Sequence, residues 1–524
     1  MPFQIEVMCG ISFYLNAYKN ILTNNLSHRG PDHYSIYQNE HVTMQFNRLK
    51  INDLSDNGNQ PIRLNNCVLI CNGEIFNHEE LKNYYQFKTM SDSDCEIIIH
   101  MYLYIKNKYD NIYQIMDLLC NSLDGEFAFC LYDELQDFVF FARDPFGVRP
   151  IFYDTKTFSL ASELKAFDDH TNVKQFLPRH FALISNYSDI SIFPYDVISY
   201  NKFTYEDNAS ILNNVKTLFT NAVVKRLMSD RDICALLSGG LDSSLVASIV
   251  AQHIPNKLKT FSIGLKDSPD LYYADIVAKH IQSEHTSIEL DKSDFLNAIE
   301  EVIKTIESYD TTSVRASVGN YLVSKYIKDN TNCVVVFNGD YADEVCGGYK
   351  YFKQCNDPEM FHDECVRLVK DICYFDSLRS DRCISAHGLE ARVPFSDKEF
   401  VHYYLSIHPL LRMSNYQIEK FILRKAFENT NLLPDEILWR QKEAFSDGVS
   451  KPNESWSDII TNFVNDQVSD QEFEMNNPNH FKLKETYYYH KIYSKYYKND
   501  KNIPYLWMPK FCSDNIIDPS ARKL

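Results

Sequence analysis

Nothing in the 524 residues is long and apolar enough to cross a membrane: no hydrophobic run approaches the roughly 20 residues that a spanning helix needs. The first residues, Met1-Pro2-Phe3-Gln4-Ile5-Glu6-Val7, lack the charged and apolar regions of a signal peptide, so a cytoplasmic location is expected. There are 14 cysteines but no Cys-x-x-Cys pair, no His-Glu-x-x-His, and no metal spacing among the 16 histidines. Most of the thiols read as small buried residues of a reducing compartment. Glycine and proline are scarce, at 15 and 18, and no Gly/Ser-rich or Pro-rich linker is present, which predicts domains packed tightly together. Positive charge is also short, with 53 Lys and Arg against 71 Asp and Glu. The net charge of −18 argues against a general nucleic-acid or anionic-membrane binder.

What is present exceeds one core, so two or more domains are expected. The most informative stretch is Ala235-Leu236-Leu237-Ser238-Gly239-Gly240-Leu241-Asp242-Ser243-Ser244. An apolar strand stops at two glycines, and a helical pattern begins at Ser243. Such a turn lets the backbone approach a ligand, and the unpaired amides of the following helix favour an anion, most simply phosphate. Ser238, Ser243 and Ser244 add hydroxyls, and Asp242 is a carboxylate that could hold a magnesium ion. No lysine follows the glycines, so the loop is not the common phosphate loop that grips a transferred γ-phosphate. A loop that holds the departing pyrophosphate fits better.

The first two hundred residues read as β-branched and aromatic runs between turns: 9–15, 42–49, 67–75, 126–132, 138–143 and 158–161. One helix is expected over 94–105. Five short stretches carry chemistry: Met8-Cys9-Gly10-Ile11, His28-Arg29-Gly30-Pro31-Asp32, Arg48-Leu49-Lys50-Ile51-Asn52, Asn72-Gly73-Glu74 and Ser93-Asp94. They supply a thiol, an arginine for a carboxylate, an amide and a glycine N–H for an oxyanion, and acids for an amine. Taken together with Arg143-Asp144-Pro145-Phe146-Gly147-Val148-Arg149-Pro150, this segment resembles the glutaminase domain of class II amidotransferases. The resemblance implies an αββα sandwich of the N-terminal-nucleophile type. It also implies that Cys9 attacks the glutamine amide, with its own α-amine as base. Arg48 would then hold the glutamine α-carboxylate, Glu74 and Asp94 its α-amine, and Asn72 and Gly73 the oxyanion, while Leu49, Lys50, Ile51 and Asn52 line the pocket. Eight residues precede Cys9, and initiation at Met8 followed by methionine removal would free the amine that the mechanism needs.

Alternation is lost from Tyr195 to Ser210, which places a boundary near Tyr200 and units at 9–200 and 206–524. Beyond it strands and helices alternate, as in a parallel sheet wrapped by helices. Ligands in such sheets bind beyond the carboxyl ends of strands, here at 237–244, 263–264 and 338–344. The last tip holds Asp340, Asp343 and Glu344, three carboxylates in five residues that repel one another unless a cation or substrate shares them.

With Thr311-Thr312-Ser313-Val314-Arg315, Gly388-Leu389-Glu390-Ala391-Arg392-Val393-Pro394-Phe395 and Trp439-Arg440-Gln441-Lys442-Glu443-Ala444-Phe445-Ser446-Asp447-Gly448 added, the whole chain resembles the glutamine-hydrolysing asparagine synthetase family. The C-terminal fold implied is a doubly wound parallel-sheet ATP pyrophosphatase with a helical C-terminal part. The substrates implied are glutamine, aspartate and ATP with Mg2+, in a homodimer. By resemblance Leu237, Ser238, Gly239, Gly240, Leu241, Asp242, Ser243, Ile263, Asn338 and Gly339 bind ATP, and Asp242 and Asp343 the metal. Thr312, Ser313 and Arg315 recognise aspartate, Asp340 sits at the aspartyl-adenylate, and Lys442 meets the phosphates. Asn338 and Tyr341 stand where the family usually has serine and glycine. Two alternatives stay open: an ammonia-dependent synthetase with a blocked glutaminase site, and a relative that adenylates another carboxylate.

Overall fold

The structure, a computed structural model, describes residues 9–18, 26–197, 203–204, 206–413, 418–451, 454–477, 479–513 and 515–520. Met1 to Met8 and the expected boundary at Tyr200 lie outside these residues.

Among the described residues, twelve N-terminal strands form two antiparallel sheets: β1 (Gly10–Leu15), β2 (His33–Gln38), β3 (Val42–Arg48), β4 (Ile62–Leu64), β5 (Cys67–Ile75), β6 (Gly125–Asp133), β7 (Phe138–Arg143), β8 (Phe152–Asp154), β9 (Leu160–Ala161), β10 (Val173–Gln175), β11 (His180–Ser185) and β12 (Asp189–Pro194). One sheet runs β10-β8-β9-β1-β3-β2 and the other β12-β11-β7-β6-β5-β4. Strand β5 shows why they stack. Val68 and Ile70 point into the inter-sheet core with Ile11, Phe13 and Phe141. Leu69 and Cys71, on the opposite face, pack under helices α2 (Glu96–Lys106) and α3 (Ile112–Ser122), which follow α1 (His78–Tyr85). A strand buried on both faces reads as a continuous apolar run, and that made it visible in the sequence. Strand β2 was not expected, because its residues alternate between half-buried and exposed at the edge of its sheet.

The second unit opens with α4 (Asn208–Lys225), capped by the Asp207 side chain, which accepts from the Ser210 N–H. There follow β13 (Asp232–Leu236), α5 (Leu241–His253), β14 (Lys259–Leu265), α6 (Pro269–His280), β15 (Glu284–Leu290), α7 (Lys292–Asn297), α8 (Ile299–Ile306), α9 (Thr311–Asn330), β16 (Cys333–Phe337), α10 (Ala342–Cys346) and β17 (Glu390–Arg392). The five strands are parallel in the order β15-β14-β13-β16-β17, and further helices follow. The stretch at Thr312 is the first turn of α9, because the Asp310 side chain accepts from the Ser313 N–H and starts the helix there. The segment around Arg392 is an edge strand, β17.

The two units share their cores. Leu49, Ile51, Phe146 and Val148 pack with Val215, Phe219 and Leu245, while Phe152, Ala161 and Leu164 pack with Ile306, Val314 and Ile384. Between these apolar zones lies a buried seam of charge. Arg29 Nη1 meets Glu163 at 2.5 Å and Asp381 at 3.1 Å. Arg149 reaches Glu126 and Asp381 at 3.4 Å and Glu390 at 3.5 Å. Arg226 joins Glu126 to Asp397, each at 2.9 Å.

Candidate active sites

At the first site, β1 begins at Gly10 and leaves Cys9 against the end of β3. The Leu49 N–H donates to Cys9 Sγ at 3.2 Å, and the thiol faces the Leu49 carbonyl at 3.5 Å. Burial pushes the thiol up to about 12, against the Leu49 backbone contact, so a base is needed to make it a nucleophile. The Arg29 Nε–H donates to the Cys9 carbonyl at 3.0 Å, which fixes the residue from behind. On β5, the Asn72 side chain is fully buried and neither its Nδ2 nor its Oδ1 has a partner. A buried amide without a bond is costly unless a ligand completes it, as an oxyanion would. Next to it Gly73 has a φ of 152°, and a Cβ there would fall 2.1 Å from the Glu126 carbonyl, so only glycine brings β5 this close to β6.

Glu74 and Asp94 are both buried and share Asn52 Nδ2, which donates to Glu74 Oε2 and, at 3.3 Å, to Asp94 Oδ1. Burial, then the mutual repulsion of the carboxylates, raises Glu74 well above its usual range, and burial raises Asp94. A bound ammonium group would relieve both, as expected for the α-amine of glutamine. Arg48 sits differently from expectation. Its terminal nitrogens donate to the Ser55 carbonyl and Asn59 Oδ1 at 2.8 Å, to the Asn52 carbonyl at 3.2 Å and to the Asp53 carbonyl, so it folds loop 52–59 around itself. A substrate carboxylate would have to displace one of these acceptors. Lys50 pairs with Asp56 at 3.0 Å, and Leu49 and Ile51 face the shared core, so these three shape the wall by packing.

The second site is a pocket at the carboxyl ends of β13, β14 and β16, lined by Leu237, Ser238, Asp242, Ser243, Ile263, Thr312, Ser313, Asn338, Gly339 and Asp340, among others. Helix α5 begins at the glycines with no side chain capping it, so its first amides face the pocket. Gly239 adopts a φ of 68°, and the Ser238 N–H donates to Ser243 Oγ at 3.1 Å, which closes the loop. Gly339, just after β16, lies so near the first turn of α5 that a Cβ would sit 2.5 Å from the Ser243 nitrogen. Backbone cannot yield there, so Gly339→Ala is expected to lower stability by about 1–3 kcal/mol and to raise the KM for ATP, checked by thermal denaturation and by kinetics. Wild-type values in both would overturn that expectation.

The three carboxylates of the β16 tip are shared by side chains of the protein. Lys420 Nζ lies 2.6 Å from Asp242 and 2.5 Å from Asp343, and Lys442 Nζ lies 2.5 Å from Asp343. Burial acts to raise Asp343, but the two lysines override it and hold the carboxyl far below the usual range. Asp340 pairs with Arg379 at 2.9 Å, yet burial still pushes it up to about 6. Glu344 accepts from the Tyr349 hydroxyl, and burial beside Asp376 and Asp343 keeps it well above its usual range. Asp242 Oδ1 and Asp340 Oδ2 are buried without a hydrogen-bond partner. Two carboxylates from neighbouring strand tips, one with an open oxygen, suit a magnesium ion that takes its other ligands from phosphate and water.

One expected contact is corrected. Arg315 does not line the pocket: it is 4 % exposed, donates to both Glu485 oxygens at 2.8 and 2.6 Å, and reaches Asp518 Oδ1 at 2.8 Å. Thr312, Ala316, Asn320 and Val323 form the face of α9 that lines the pocket, and Arg315 projects roughly 100° of helix rotation from Ala316. Thr312 Oγ1 stays buried without a partner, open to a substrate, whereas Ser313 Oγ donates to Asp310 at 2.8 Å. Lys420, Arg379, Asp376 and Trp507 also line the pocket and were not expected, since each is a lone residue far in sequence from any glycine-marked loop.

The asparagine synthase family model matches residues 214–361 and 353–511, and the glutamine amidotransferase domain model matches residues 8–209. The glutamine-hydrolysing asparagine synthetase of Rattus norvegicus is 40 % identical over 544 residues, covering 95 % of this chain and 94 % of that one. That of Gallus gallus is 39 % identical over 567 residues, covering 99 % and 98 %. Among solved structures, the glutamine phosphoribosylpyrophosphate amidotransferase of B. subtilis aligns over 49 % of this chain and 60 % of that one, with 16 % identity and a TM-score of 0.27. With such identity held along nearly the full length of two relatives, the chain belongs to the glutamine-hydrolysing asparagine synthetase family.

Proposed function

We propose that the chain makes asparagine from aspartate, with ATP and glutamine as the other substrates, in a glutaminase unit at 9–200 and a synthetase unit at 206–524. The observation that carries this reading is the presence, in one chain, of an unpartnered buried amide at Asn72 and of a pocket where a phosphate-type loop meets carboxylates and lysines.

In the synthetase pocket the side-chain carboxylate of aspartate attacks the α-phosphorus of ATP. The bond to the β,γ-pyrophosphate breaks, and β-aspartyl-AMP forms. The amides at the start of α5 and Lys442 meet the negative charge that develops on the phosphates. Asp242 and Asp343 would hold Mg2+, which supplies charge neutralisation to the phosphates when bound. With Asp242 and Asp343 so engaged, Lys420 and Lys442, which pair with them here, would be placed to turn to the phosphates. Thr312 Oγ1 offers a hydroxyl to the amino acid. In the glutaminase site the Cys9 thiolate adds to the side-chain amide of glutamine, and Asn72 Nδ2 and the Gly73 N–H meet the oxyanion. Ammonia leaves, and water cleaves the thioester to glutamate. Ammonia then attacks the β-carbonyl of the adenylate, and asparagine and AMP part. The proton from the thiol requires the free α-amine of Cys9, so we infer a mature chain that starts at this residue, in a cytoplasmic homodimer.

Purified protein given aspartate, ATP, Mg2+ and ammonium is expected to release pyrophosphate and asparagine in equal amounts, and to do so with glutamine when intact mass shows Cys9 first. Absence of pyrophosphate with ammonium would overturn the reading. Activity with ammonium alone, in protein that starts at Cys9, would establish a synthetase with a silent glutaminase.

A further inference from the structure

Tyr341 is the most unusual residue of the nucleotide pocket. Its backbone is left-handed, with a φ of 76° and a ψ of −6°, although it carries a bulky side chain and precedes helix α10. An aromatic residue in this region is an outlier, and it persists only where the surroundings over-determine it. Here they do. The side chain is 1 % exposed, and its hydroxyl lies 2.7 Å from Ser377 Oγ, while Ser380 Oγ donates to it at 3.4 Å. Both serines belong to one segment, since Ser377 immediately precedes the wide, π-type turn Leu378–Arg382 that contains Ser380.

That turn faces two ways. Arg379 points to the pocket, where it pairs with Asp340 at 2.9 Å and with Asp376 at 3.1 Å. Asp381 points to the glutaminase, where Oδ2 accepts from Arg29 Nη1 at 3.1 Å and Oδ1 from Arg29 Nη2 at 3.2 Å. Ser385, just beyond, also holds Arg29 Nη1 at 3.1 Å, and the Nε–H of the same arginine donates to the Cys9 carbonyl at 3.0 Å. Asp340 and Tyr341 therefore clamp the turn by consecutive residues, and the turn carries the groups that brace the nucleophile. A shift of the Asp340 loop on substrate binding would reach the turn through the ion pair, which substrate can replace, and through the phenol, which it cannot.

We propose that Tyr341 is a positioning residue that couples the two active sites, its hydroxyl fixing the Leu378–Arg382 turn so that occupancy of the pocket alters the setting of Arg29 behind Cys9. This inference rests on the proposed function and adds to it a named link between the half-reactions.

The test compares glutamine hydrolysis with and without saturating ATP, Mg2+ and aspartate in wild type, Tyr341→Phe, Ser377→Ala and the double variant. In wild type the rate is expected to respond at least twofold to the synthetase substrates. Each single variant should bring the ratio of the two rates at least halfway back towards one, since one buried neutral hydrogen bond weighs enough to offset a response of about two- to tenfold, and the double variant should lose no more than the worse single one. A structural role alone would lower both rates in proportion and leave the response intact. An unresponsive wild type, an undiminished response in Tyr341→Phe, or losses that multiply in the double variant would each overturn the proposal. Failure of the underlying reading is distinguishable, because wild type would then release no pyrophosphate with ammonium.

Discussion

Cys9→Ala is expected to reduce glutamine-dependent asparagine formation by at least roughly a thousandfold while synthesis from ammonium stays close to that of the parent. The asymmetry follows from position. Cys9 lies in the glutaminase, held by Leu49 and by Arg29 from behind, and its side chain lines no part of the nucleotide pocket. On the proposed function, removing the thiol would remove the covalent step and leave Asn72 and Gly73 with no tetrahedral intermediate to stabilise. The oxyanion donors alone cannot activate water, since the neighbouring carboxylates Glu74 and Asp94 are held above their usual range and are placed to meet an amine. Paired assays with glutamine and with ammonium, on protein of known N-terminus, decide the matter. A variant that keeps a tenth of the glutamine-dependent rate would remove Cys9 from the mechanism. One that loses both activities would show the residue to be structural.

The largest stability effect is expected at the charge seam. Arg149 is fully buried and reaches Glu126, Asp381 and Glu390, and its Nη2 also donates to the Ala391 carbonyl at 3.2 Å. Arg149→Met keeps much of the volume but takes the shared cation from three buried carboxylates, leaving Glu126 to Arg226, Asp381 to Arg29 and Glu390 to Arg392, so the cost is at most that of breaking one buried pair. Loss of one partner from a buried pair typically costs about 3–5 kcal/mol. The urea midpoint should fall accordingly, with the two units separating before either unfolds. As a control, Lys279→Met removes a surface ion pair with Asp275 whose members are 76 % and 50 % exposed, and it should leave the midpoint unmoved. Equal midpoints for Arg149→Met and wild type would show that the seam does not hold the units together.

Much of this architecture was legible in the sequence because its signals are local. The glycines that end β13 and the apolar run of β5 each mark an element within ten residues. Asn72-Gly73 was readable for the same reason, since the donor and the close strand approach are neighbours. The failures are non-local. Lys420 and Arg379 matter only because the fold brings them to strand tips far away in sequence, and a single cation in a mixed segment carries no mark of that. Arg315 was expected at the substrate by resemblance alone, and only the rotation of α9 shows that it turns to Glu485 while Thr312 and Ser313 line the pocket. Arg48 stands out in the sequence as a lone cation, but its hold on loop 52–59 depends on backbone carbonyls, which no side-chain pattern reveals.

The charge seam also bears on how the chain is born. The glutaminase half leaves the ribosome first, and it carries within its own sequence Glu163 for Arg29 and Glu126 for Arg149. Asp381, which completes both sets, is translated 232 residues after Arg149, a delay of roughly 10–50 s at ordinary elongation rates. During that wait part of the surface that will later be buried consists of half-paired arginines, which water hydrates readily. The nascent unit thus meets its surroundings there with charged groups in place of a sticky apolar face, and it becomes dry only when its own downstream sequence arrives to close it.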